Sequence, residues 1–176
     1  MRAQGNFFRG YDPGMVEQAT RWLTGPEMQA WRALIQVTTG VLGALDGELQ
    51  AEHGLSLGEY EVLVHLSEEP ESSLRMTDLA SRLHLSPSGI TRRIDGLERA
   101  GLVERRRCPS DRRGSNAVLT AAGLERLKAA APTHVRGVRA HFIDQLSEKE
   151  IANVAAALAS VHVDPDAAAG GCDEAG

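Results

Sequence analysis

At 176 residues, 42% of them apolar, the chain can fill one sizeable core or a small lobe with an appended interface, but not two full domains. Aromatics are 4% beside abundant Ala and Leu, a balance that favours helices packed through aliphatic side chains over a β-sandwich, so a mostly α fold is expected. The formal net charge is −5, which excludes a uniformly basic polyanion binder.

Residues 1–12 lack periodicity and are expected to be mobile. Residues 1–24 are read as a partly helical N-terminal extension. From Gly25-Pro26 a helix is expected to run to about His53, with Trp31, Leu34, Ile35, Val41, Leu42 and Leu45 at helical spacing. Gly40, Gly43 and Gly47 lower its propensity and suggest close packing of another backbone. Ser56-Leu57-Gly58-Glu59 has capping-box form and opens a second helix, with Tyr60, Leu63, Val64 and Leu66 inward and Glu69-Pro70 as its stop.

An extended piece, Ser73-Leu74-Arg75, leads to a short helix from Met76 to about Leu83, capped by Thr77 and buried through Leu79, Ala80 and Leu83. After the turn at His84-Leu85, Ser86-Pro87 starts another helix that stops at Ala100-Gly101. Residues 102–107 and 117–119 read as strands around a loop from Cys108 to Asn116, forming a wing. A long helix from about Ala121 towards Leu146 follows, weakened by Pro132. A second capping box, Ser147 to Glu150, opens a last helix to about Val161, and residues 164–176 read as a disordered acidic tail.

Charge is concentrated in the middle of this plan. Ten of the 19 Lys and Arg residues lie in the 39-residue window from Arg75 to Arg113, all ten are arginine, and five carboxylates accompany them. A compact basic tool on an acidic body is what duplex DNA binding requires, because phosphate attraction is local. At 100° per residue, Ile90, Ile94 and Leu97 define one buried face of the Ser86 helix. Ser88, Arg92, Asp95 and Arg99 then project from the opposite side, with Thr91 on the shoulder and Arg93 on the other flank.

Arg92 is the leading candidate for a base contact, since its guanidinium fork matches the two acceptors that guanine shows in the major groove. Ser88 and Thr91 suit phosphate or base, and Arg93 and Arg99 suit phosphate. At the wing tip, Asp111, Arg112 and Arg113 suit the minor groove, with Asp111 holding an arginine extended. Arg75, Ser86, Ser88, Thr91, Arg92, Arg93, Arg99, Asp111, Arg112 and Arg113 are therefore the candidate DNA-binding residues.

The stretch Met76 to Ala80, the segment SPSGITRRIDGLERAGLVERR, the wing PSDRRGSNAVLT and the following AAGLERL resemble the MarR family of bacterial transcription regulators over roughly Trp31 to Val161. The resemblance implies a winged helix-turn-helix lobe, residues 56–120, between dimerisation helices at 25–55 and 121–163. It also implies a homodimer reading a palindromic site and a small-molecule pocket between the dimer helices and each lobe. Arg113 would then be the minor-groove residue and Asp111 its orienter. Trp22, Trp31, His53 and His65 are the candidates for contacting that effector.

Other chemistry finds little support. The six histidines, His53, His65, His84, His134, His141 and His162, form no helix-borne zinc pair, and no glycine-rich phosphate loop or nucleophile elbow is present. No metal, cofactor or catalytic residue is expected. Cys108 and Cys172 are unsuited to a structural disulfide, which points to a reducing cytoplasm, although Arg105 to Arg107 would favour a thiolate at Cys108. The longest uncharged stretch, Ala33 to Leu45, is 13 residues, too short for a membrane span. The expected function is a ligand-responsive, homodimeric, double-stranded-DNA-binding regulator, most often a repressor by resemblance. The alternative is a winged module whose arginines answer acidic protein partners.

Overall fold

The computed structural model describes residues 20–108 and 111–162, with the backbone alone at Cys108 and 111–114. The expected mobile start, most of the N-terminal extension and the acidic tail lie outside the described residues. The chain divides between Val37 and Thr38 into two compact units.

In the first unit, residues 20–24 are not helical and lead into α1 (Gly25–His53). The Thr24 amide donates to Glu27 Oε2 at 2.7 Å, and Arg21 pairs with the same carboxylate at 3.3 Å. The backbone and side-chain hydrogen bonds from Thr24 hold the Glu27 carboxyl below its ordinary 4.5. Trp22, Trp31, Leu34, Ile35 and Val37 are all exposed.

The second unit begins with the rest of α1 and continues through α2 (Leu57–Ser67), β1 (Ser73–Arg75), α3 (Met76–Arg82), α4 (Pro87–Arg99), β2 (Val103–Cys108), β3 (Asp111–Leu119), α5 (Ala121–His141), a 3-10 turn at Ile143–Gln145 and α6 (Glu148–Ala159). Helices dominate, beside one three-stranded antiparallel sheet of order β1-β3-β2. Its core collects Leu49 from α1, Val62, Leu63 and Leu66 from α2, Leu79 from α3, Ile90, Ile94 and Leu97 from α4, and Val103 from β2. Burying each such aliphatic side chain is worth about 1.5–3 kcal/mol, so α4 is fixed by its inward face.

Local signals explain most boundaries. Ser56 accepts from the Glu59 amide while Glu59 accepts from the Ser56 amide, closing the expected capping box of α2, and Ser147 with Glu150 does the same for α6. Ser86 caps α4 by accepting from the Gly89 amide, and Gly101 leaves the helix at φ +71°, a conformation that suits a residue without Cβ.

Three expectations are corrected. Thr77 does not cap α3: Arg75, the last residue of β1, occupies the N-cap position and makes no capping bond to the helix amides, and the Thr77 hydroxyl donates to Asp78. The Cys108 to Asn116 loop is mostly strand, because β3 begins at Asp111 and its pairing runs from Cys108↔Asp111 to Val103↔Leu119 with a bulge at Arg107/Cys108. The extended piece 73–75 joins the same sheet, pairing Leu74 with Ala117. Finally, α5 carries Pro132 inside it yet ends at His141 rather than near Leu146, where Phe142 leaves helical geometry at φ −139°.

Candidate nucleic-acid interface

The helix-turn-helix is formed by α3 and α4. Its turn is held by the Leu85 amide donating to the Ala80 carbonyl at 2.9 Å, and His84 adopts φ +50° there. Packing of Ile90, Ile94 and Leu97 into the core turns the opposite side of α4 to solvent. Ser88, Thr91, Arg92 and Arg99 lie on that exposed side.

Their polar groups are differently engaged. Ser86 Oγ and Ser88 Oγ share a hydrogen bond of 3.1 Å, so both hydroxyls lie at the start of the helix. The Thr91 hydroxyl donates to the Pro87 carbonyl at 2.8 Å, leaving its oxygen as an acceptor. Arg99 Nε donates to the Asp95 carbonyl at 3.1 Å. Arg93 is half-buried and lies over Gly58 at the start of α2, with Nη1 donating to the Gly58 carbonyl at 3.4 Å. A Cβ at residue 58 would meet that guanidinium at 2.5 Å, so the glycine makes the approach possible. Arg92 is exposed and has no partner among the described residues. Its guanidinium borders an open cleft with Arg93, Glu59 and Gly89.

Arg75 is exposed at the junction of β1 and α3. Asp111, Arg112 and Arg113 start β3, and their side chains lie outside the described residues.

Arg105, read from sequence only as a strand residue beside Cys108, faces α4. Its Nη2 pairs with Asp95 Oδ1 and donates to the Thr91 carbonyl at 3.1 Å. Asp95 is thus half-buried and tied, not simply projecting to solvent. Strand alternation carried the missed signal: Arg105 shares a face with buried Val103. Arg106, one residue on, is exposed and pairs with Glu104.

The expected effector residues divide between the two units. Trp22 and Trp31 belong to the first, 70% and 54% exposed. In the second, His65 is half-buried in the last turn of α2, and His53 shares a 2.9 Å hydrogen bond with Thr133 of α5. Thr133 also donates to Glu52, and Arg136 pairs with Glu52 at 2.6 Å. The Thr133 hydroxyl first, and Arg136 second, hold the Glu52 carboxyl below its ordinary 4.5. His141 meets Glu48 at 2.7 Å along the same seam. Between α5 and α2, the half-buried His134 ring stacks on Tyr60 with ring centroids 4.6 Å apart. Among the described residues no three His, Cys, Asp or Glu side chains converge as a metal site would require, and no helix is long and apolar enough to cross a membrane.

This arrangement has known counterparts. A profile described as MarR family matches residues 53–114, which run from the end of α1 into β3. The fold superposes on AbsC, a MarR family transcriptional regulator from Streptomyces coelicolor, with a TM-score of 0.73 and 44% identity over 79% of this chain and 93% of that one. Sco3205, another MarR family transcriptional regulator of that organism, was crystallised in complex with DNA and gives a TM-score of 0.74 with 37% identity, covering 79% of this chain and 87% of Sco3205. The chain belongs to the MarR family.

The resemblance drawn from the α4 and wing motifs is therefore borne out, as is the mostly α winged-helix architecture. Among curated proteins, the HTH-type transcriptional repressor YetL of Bacillus subtilis (strain 168) is 34% identical over 100 residues, 57% of this chain and 59% of YetL. The chain spans between 54% and 59% of the length of the first three curated relatives it matches.

Proposed function

We propose that this MarR-family chain is a ligand-responsive, sequence-specific DNA-binding transcription regulator that acts as a homodimer, in the manner of a repressor. One observation carries the reading: on a helix pinned to the core by its other face, Arg92 holds an exposed guanidinium with no partner among the described residues. An ordinary solvated arginine would serve solubility as well, but this one sits inside a strongly basic window of an acidic chain. The DNA-bound state of Sco3205, which shares the fold, supports the same assignment.

In this reading Arg92 contacts a guanine, while Ser86, Ser88 and Thr91 supply acceptors and donors at the start of α4. Arg75, Arg93 and Arg99 attract phosphate, and Arg112 and Arg113, oriented by Asp111, enter the minor groove. Residues 56–120 form the DNA-binding lobe, and 25–55 with 121–163 supply the dimer contacts. The protein acts by binding, with no catalytic step, in the cytoplasm. A small-molecule effector contacts the His53 and His65 region of the second unit; Trp22 and Trp31 are separate candidates within the first. It works by population shift: a ligand that prefers the DNA-incompetent state weakens DNA binding by the factor by which DNA weakens the ligand.

The test is fluorescence anisotropy on duplexes from the DNA adjoining the protein's own gene. Arg92→Ala and Arg113→Ala should each weaken binding by about 1 kcal/mol or more, roughly fivefold, and Arg92→Ala should flatten base preference at one position per half-site. Two variants that bind like the wild type would refute the reading.

A further inference from the structure

The reading helix carries carboxylates as well as arginines. Asp95 and Glu98 lie three residues apart on α4, so they are neighbours on its surface, with side chains 47% and 43% exposed. Left uncompensated on an element that approaches phosphate, each would repel the duplex. Arg105 answers both. Its Nη2 pairs with Asp95, the same nitrogen donates to the Thr91 main-chain carbonyl at 3.1 Å, and its Nε stands 3.8 Å from Glu98 Oε2.

That guanidinium is held, not solvated. The Arg105 side chain is 30% exposed against 67% for Arg106, and its Nε is buried with no hydrogen-bond partner. A freely moving arginine would turn that nitrogen to water. Here the fork is fixed by two separate acceptors on α4 and by its own strand, in which Arg105 pairs with the fully buried Ala117. Strand β2 runs on from Arg105 to Cys108, which pairs with Asp111 at the start of β3, so one side chain joins the wing strands to the stretch of α4 that presents Arg92.

Resting on the DNA-binding reading above, we infer that Arg105 is a positioning residue for base reading. It fixes the angle between recognition helix and wing strand and neutralises two carboxylates on the reading helix. Base contact by Arg92 and docking of the wing then occur as one event. Lysine replaces it only in part: an ammonium can donate to Asp95 and the Thr91 carbonyl, as Nη2 alone does here, but it has no second nitrogen to stand beside Glu98.

The experiment compares the full-length wild type with Arg105→Met, Arg105→Lys, Asp95→Asn, Arg92→Ala and the Arg105→Met/Asp95→Asn pair. The probe is a duplex that the wild type selects from a randomised pool. Arg105→Met should bind it at least tenfold more weakly and broaden preference at the position that Arg92→Ala flattens, with Arg105→Lys in between. Adding Asp95→Asn should restore several-fold of that loss, since it removes the stranded carboxylate. The slope of log affinity against log salt should stay at the wild-type value, because Arg105 makes no phosphate contact.

In free protein, amide hydrogen exchange across residues 91–99 should quicken in Arg105→Met while α2 exchanges as before. A salt slope reduced by about one, with no rescue by Asp95→Asn, would make Arg105 an ordinary phosphate contact and overturn the inference. So would wild-type binding by Arg105→Met, or unchanged exchange in α4. A wild type that selects no sequence refutes the DNA-binding reading itself, whereas normal selection with an indifferent Arg105→Met refutes this inference alone.

Discussion

Gly123 and Gly43 both lie in helices, yet an added Cβ would meet nothing within 4 Å at Gly43 and a crowded backbone at Gly123. A Cβ at Gly123 would stand 2.1 Å from the Leu102 carbonyl oxygen and 2.7 Å from Leu119 Cδ1. That carbonyl cannot yield easily, because it already accepts from the Thr120 amide at 3.1 Å, and the Thr120 hydroxyl holds the preceding Gly101 carbonyl at 2.8 Å. Gly123→Ala should therefore cost about 1–3 kcal/mol in urea denaturation, the usual toll of overpacking a tight contact. No propensity scale separates the two glycines, since the deciding atom comes from a loop some twenty positions earlier in the chain. Arg105 illustrates a signal that was present. Period-two alternation from Val103 marks it as helix-facing, but three consecutive arginines read as one charged run. Arg92 was legible because the angle from Ile90, Ile94 and Leu97 needs no tertiary information.

Elements were legible where a side chain caps its own helix and illegible where a boundary depends on a neighbour. The Ser56 and Ser147 capping boxes close within four residues of sequence. By contrast, α3 begins where β1 stops pairing with β3, which puts Arg75 at the N-cap and leaves Thr77 inside the first turn. The early start of β3 follows from pairing with β2 across polar residues of weak strand propensity. The packing of α5 on α2 adds a pH dependence. Burial holds the His134 imidazole below its ordinary 6.5, with Glu61 opposing, while it stacks on Tyr60. A histidine whose folded pKa is depressed binds protons better when unfolded, so this contribution is full above pH 6.5 and is lost as pH falls through the folded value. Denaturation midpoints should thus drop between pH 7.5 and 5.5, and His134→Phe, which keeps the stack and cannot protonate, should shrink that drop. An equal drop in both proteins would remove His134 as the cause.

At the scale of the whole molecule, the question is what covers the apolar surface of α1. Periodicity revealed the stripe of Trp31, Leu34, Ile35 and Leu42, but an amphipathic pattern is the same whether its partner is the same chain or a second one. In the single chain all four are exposed, as are Leu158 of α6 and Val161 after it. Gly40, Gly43 and Gly47 have nothing within 4 Å of a would-be Cβ, so the close packing that their sequence suggests does not come from the described residues of the same chain. The proposed homodimer supplies both missing partners, apolar cover for the stripe and a second backbone for the glycines. Leu34→Glu with Ile35→Glu should then convert dimers to monomers in analytical ultracentrifugation at micromolar concentration. The far-ultraviolet circular dichroism of the lobe should survive, because neither side chain contributes to the core. DNA affinity should fall by about 100-fold or more, since one lobe alone forfeits the effective concentration that tethering gives the second. Gly43→Ala distinguishes the two faces of the argument. With solvent at that face an alanine should stabilise the helix by up to about 1 kcal/mol, whereas a second backbone seated there should make the same methyl weaken association. A wild type that sediments as a monomer, or a double glutamate variant that stays dimeric, would place the dimer contacts elsewhere or nowhere.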